Sequence, residues 1–136
     1  MTKQAIIDEG RDRIRPFMDH WKRLLCLHNW VIEVDVYDHL GQGGGAFDTL
    51  MKVDVEWTYR HATLSVNACR LADLDDEDVE RAIVHELAHC LVAELCDQNE
   101  AHHLERVVTD LSDAFWAVAQ SKLERDEDAE AQHVPE

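Results

Sequence analysis

Nowhere in its 136 residues does the chain approach the ~20 consecutive apolar residues that a bilayer span requires. The segment from Met1 to Gly10 has no apolar core of the kind that marks a secretory signal. A cytoplasmic protein without a membrane partner is therefore expected. Basic residues are scarce: 13 Lys and Arg stand against 29 Asp and Glu, a formal net charge of −16. That balance offers little to neutralise a phosphate backbone or an anionic lipid surface, so no nucleic-acid partner is expected. The four cysteines, Cys26, Cys69, Cys90 and Cys96, include no C-x-x-C pair. Their scatter argues against a zinc ribbon or a disulfide framework and for reduced, mostly buried thiols. No internal repeat is present, which sets aside a fold built of stacked units.

With 46% hydrophobic and 31% charged residues, the composition is that of a globular chain, and the length suits one domain. The periodicities predict an α+β fold. Apolar residues from Ile6 to Leu27 recur at helical spacing between Lys3 and about His28, and Pro16 interrupts them, which predicts one kinked helix or two short ones. Trp30 to Tyr37 alternates as a strand, with Trp30, Ile32, Val34 and Val36 on one face and Glu33 and Asp35 on the other. Residues 41–46 fit G-x-G-x-x-A, but a second alternating stretch, Phe47 to Tyr59, follows them where a dinucleotide fingerprint would open a helix. They read as a loop within a small three-stranded sheet whose third strand is His61 to Val66.

A cluster of acids from Asp73 to Asp78 marks the start of a helix running from Asp76 to about Cys96, with Ile83, Val84, Leu87, Leu91 and Leu95 as its apolar stripe. A last helix, capped from Asp97-Gln98-Asn99, carries Leu104, Val107, Val108, Leu111, Phe115 and Val118 as far as about Leu123. The expected organisation is one domain over 1–123 and an acidic, disordered tail over 124–136.

The first of these two helices contains His85-Glu86-Leu87-Ala88-His89. Spacing of i, i+4 places both imidazoles on one side of the helix, one turn apart, where they can share a metal ion. Zinc accepts neutral imidazole nitrogen, and a catalytic site uses three protein ligands so that water keeps the fourth position. Glu86, adjacent but not needed as a ligand, is placed to take a proton from that water. H-E-x-x-H arises by accident in roughly one chain in twenty of this composition. Its position in a strong helix, its uncharged spacers and the buried adjacent face raise its specificity.

The third ligand must come from further along. Val92 and Leu95 stand where the longer H-E-x-x-H-x-x-G-x-x-H pattern needs Gly and His. The last helix offers Glu100, His102, His103, Glu105 and Asp110. Of these, Glu105 is expected to ligate, since it lies beside Val107-Val108 at the edge of the core, where an unpaired carboxylate is costly unless it meets a cation. The residues thus predict Zn²⁺ as cofactor, held by His85, His89 and Glu105.

In its order of elements the chain resembles the zincin metallopeptidases, and more narrowly the small phage-type members of the branch with a glutamate ligand, the gluzincins. The resemblance rests on Trp30-Val-Ile-Glu-Val, on Tyr59-Arg60-His61-Ala62-Thr63-Leu64, on Val84-His85-Glu86-Leu87-Ala88-His89 and on Glu105-Arg106-Val107-Val108. It implies a minimal zincin-like domain in which a helix and a small sheet pack over the motif helix. It also implies hydrolysis of a peptide bond in a protein substrate, in the host cytoplasm if the gene is a phage's, with Glu86 as general base. Tyr59, His61, His102 and His103 are all candidates for stabilising an oxyanion. The alternative is a binding module that keeps zinc without turnover, closing the site with a fourth side chain such as His102, His103 or Cys96. A metal-free acidic interaction protein is the third reading.

Overall fold

The computed structural model describes residues 2–38, 49–95 and 101–132, without the side chains at 95 and 101–104. The Gly-rich stretch at 41–46, the cap expected at 97–99 and Cys96 lie outside the described residues. The fold is α+β. An N-terminal helix α1 (Lys3–Leu24) leads into strand β1 (Val31–Tyr37), followed by β2 (Met51–Glu56) and β3 (His61–Asn67). A short helix α2 (Ala68–Leu71) then precedes the motif helix α3 (Asp76–Val92) and a long last helix α4 (Ala101–Ala131).

The sheet has the order β1-β3-β2, with β1 parallel and β2 antiparallel to the central β3. Alternation decides its faces. Ala62, Leu64 and Val66 of β3 are buried together with Val36 and Met51, and the helices cover this side. Residues between them, such as Glu33, Asp35, Lys52 and Asp54, face away and are exposed. The result is two layers, with α1 and α3 side by side on one face of the sheet and the other face uncovered among the described residues.

Local chemistry sets the helix ends. Thr2 and Asp75 cap α1 and α3, each accepting from the backbone N–H three residues on, at 3.1 and 2.9 Å. Pro16 lies inside α1 and does not divide it, since its exposed ring leaves the unpaired carbonyl one turn earlier to water while Ile14, Met18 and Trp21 anchor the buried face. The helix stops before His28 because Cys26 adopts a left-handed φ of 58°. Cys26 N–H returns to Arg23 C=O, Leu27 N–H returns to Lys22 C=O, and Leu27 is thereby buried. At the far end of the chain α4 runs on to Ala131, past the stop expected near Leu123 and through most of the segment expected to be disordered. Glu, Asp, Arg, Ala and Gln there pack nothing, but most are good helix formers, and Arg125 Nε reaches back to Ser121 C=O at 3.4 Å.

Arg13 joins three elements: its guanidinium donates to Leu71 C=O at 2.7 Å, Leu74 C=O at 2.6 Å and Asp76 Oδ1 at 3.0 Å. This closes the end of α2 and fixes the start of α3 against α1. Trp21 Nε1 donates to Glu80 at 2.7 Å, and the Trp21 ring stacks on Trp116 of α4 at 6.1 Å between centroids. Among the described residues no helix is long and apolar enough to cross a membrane.

Candidate metal centre

The buried face of α3 consists of Val79, Ile83, Val84, Leu87, Ala88, Cys90 and Val92. Leu91, expected in that stripe, sits at its margin and is 37% exposed. Burying this face fixes the helix's rotation, and with it the direction of His85 and His89. Their rings stand 5.1 Å apart at 76° to each other.

The third member arrives on α4. Ala88, Val92 and Val108 form a small buried cluster between α3 and α4, and Val108 is fully buried in it. Glu105 lies one helical turn before Val108 and so projects over the two imidazoles. Its Oε1 is 2.7 Å from His85 Nε2 and its Oε2 3.2 Å from His89 Nε2. One donor atom from each of His85, His89 and Glu105 lies within 4.8 Å of the others, and no other such group occurs among the described residues. Two imidazoles and one carboxylate make up the His₂Glu set of catalytic zinc sites, so the residues fit that metal. Glu105 is 58% exposed, which leaves the carboxylate side of the group open to water. Asp110, another carboxylate considered for this role, is exposed and belongs to no such group.

Glu86 takes a different place from the histidines. Its Oε2 accepts the backbone N–H of Val53 in β2 at 3.1 Å, so one oxygen is held by the sheet while the other has no hydrogen bond among the described residues. Burial first, and the charge of Glu105 second, push the carboxyl up to about 7, against the hydrogen bond from Val53. Burial likewise holds His89 below its usual value, in spite of Glu105, favouring the neutral imidazole that binds metals. Burial, followed by the nearby Glu86 charge, pushes the Cys90 thiol up to about 12, which makes it unreactive at neutral pH.

Two of the residues considered for oxyanion stabilisation lie on the sheet side of the molecule, one in a turn and one on a strand. Tyr59 is 79% exposed in the turn between β2 and β3. His61 faces the open side of the sheet, its Nε2 3.6 Å from Glu33. The side chains of His102 and His103 lie outside the described set. Sequence reasoning missed the Val53 backbone as a partner of Glu86; the alternating Lys52 to Glu56 stretch marks the strand but not which helix meets its edge.

Ala88 carries a prediction of its own, because its small side chain sets how closely α4 approaches α3. Ala88→Leu keeps every donor but overfills the contact, at a cost of about 1–3 kcal/mol. A lowered melting temperature and weaker zinc retention, read by denaturation and chelator competition, are the expected outcome. Unchanged zinc retention would mean that this contact does not position Glu105.

No family model matches the chain, and no characterised protein matches its sequence.

Proposed function

We propose that the chain is a zinc-dependent metallopeptidase. The observation that carries this reading is the convergence of His85, His89 and the Glu105 carboxylate, with Glu86 beside them but outside the group. His85, His89 and Glu105 would hold the zinc, which when bound would supply a Lewis acid for the scissile carbonyl and for activating water. Glu86, fixed by Val53 N–H through one oxygen, takes the proton from water with the other and delivers it to the leaving amine.

A peptide substrate is supported by the strand beside Glu86. Among the described residues β2 is an edge of the sheet, and Val53 N–H turns outward to Glu86 rather than toward β3. With a period of two, the N–H groups of Met51 and Val55 face the same edge. An extended peptide can pair with such an edge and bring its carbonyls to the group. Three donors, the number found in the group among the described residues, are what a catalytic zinc site uses.

One zinc per chain is expected in protein purified without chelators. Its affinity should fall steadily from pH 8 to pH 6, because protons compete for the imidazoles and binding releases them. Elemental analysis and chelator competition at several pH values check both statements. Protein that contains no metal and takes up none would overturn the reading, as would zinc-loaded protein that cleaves no peptide bond where a related cut is sought with defined substrates.

A further inference from the structure

We infer that the groove between the end of α1 and the second half of α4 docks a basic, amphipathic helix of another protein. The groove is about 370 Å³. One wall is Trp21 and Leu24 of α1, and the other is Phe115, Val118 and Leu123 of α4. On α4 these positions follow the i, i+3, i+8 spacing of one helical face, so the trough runs between two helices and has the shape that a third helix fills. Leu24, Val118 and Leu123 are 47%, 66% and 55% exposed, more apolar surface in one place than scattered surface residues explain.

Two further observations choose the occupant. Every residue from Ser121 to Gln132 is exposed, so α4 continues for roughly three turns beyond the body with no packed face. A helical stretch that short is marginal in water by itself and gains most from a neighbour laid along it. The same stretch is acidic: its five carboxylates, from Glu124 to Glu130, outnumber Lys122 and Arg125, and the whole chain carries −16. A second copy would bring like charge against like, whereas a helix with Leu-like residues on one face and Lys or Arg along its flanks meets both the apolar trough and the acidic rim. The groove begins at Phe115, 10 residues along α4 from Glu105, about 15 Å at 1.5 Å per residue, so this surface is separate from the candidate metal centre and does not depend on its function.

The test uses an 18-residue amphipathic Leu/Lys peptide and its Leu/Glu counterpart, titrated calorimetrically into the full chain at low and at moderate salt. Expected are one-to-one binding of the Leu/Lys peptide, weakening with salt, and at least tenfold weaker binding to Val118→Asp/Leu123→Asp. Both substitutions fall on exposed helix positions, and circular dichroism verifies that the fold is retained. Glu127→Lys/Asp128→Lys, which leaves the apolar trough intact, should weaken the low-salt binding severalfold. Undiminished binding to Val118→Asp/Leu123→Asp would overturn the inference as adsorption to an acidic surface, and equal binding of the Leu/Glu peptide would remove the charge argument. Dimerisation of the free chain that this double variant abolishes would assign the groove to a second copy instead.

Discussion

Glu86→Gln is expected to keep its zinc and its fold while hydrolysis slows by about 10²-fold or more, the scale of a positioned acid/base group. The amide retains the shape of the side chain and an oxygen for Val53 N–H, which Glu86 accepts at 3.1 Å. What disappears is the basic carboxylate oxygen. Folding should not suffer: burial and the Glu105 charge hold the Glu86 carboxyl at about 7 without metal, so a permanently neutral group fits the site at least as well. The assay compares wild type and variant in a cell lysate and scores new protein termini, together with zinc content for both. Termini that appear equally with the variant would show that Glu86 is not the base. Their absence from both, with zinc bound in both, would favour the non-catalytic zinc module.

Much of this site is legible in the sequence because its parts are local. His85, Glu86 and His89 share one helix, and the apolar pattern that predicts the helix also fixes which way they point. Glu105 is legible for a similar reason: Val108, one turn on, must be buried, so Glu105 comes to the boundary. In the fold, the alternation of β1 and β3 is as plain in the residues as in the sheet.

The elements that differ depend on energies that periodicity does not record. Pro16 permits a continuous α1 because its lost hydrogen bond falls on the solvent side, a fact set by the packing of Ile14, Met18 and Trp21. Cys26 ends the helix in a left-handed conformation usually given to Gly, and burial of Leu27 offsets the strain. The extension of α4 to Ala131 follows from helix propensity without any apolar stripe, so a search for stripes ends too early. The Val53 contact with Glu86 requires knowing that β2 is an edge and that α3 lies beside it. His61 shows the reverse case: it is near the motif in strand order, but alternation turns it to the open face toward Glu33.

Removing a ligand should fail differently from removing the base. His89→Ala or Glu105→Ala is expected to weaken zinc binding by more than the 10–100-fold typical of losing an outer-shell partner, whereas Asp110→Ala, on the same helix as Glu105 and exposed, should leave it unchanged. The two imidazoles and the carboxylate are separated by 2.7 and 3.2 Å in the free protein, so a bound zinc would replace a contact between α3 and α4 with a stronger one and tie the helices together. Metal that binds only the folded chain stabilises it by about 4 kcal/mol at a thousandfold excess over its dissociation constant. For a chain of this length that corresponds to roughly 10 °C or more in melting temperature. Chelation should therefore lower the melting temperature of wild type by that amount, and of Glu86→Gln equally, yet leave His89→Ala and Glu105→Ala almost unaffected. Differential scanning calorimetry with and without chelator reads all four proteins. If Glu105→Ala keeps both its zinc affinity and its chelator-dependent shift while His89→Ala loses them, the third ligand is another residue; if wild type shows no shift, the zinc does not hold α4 to α3.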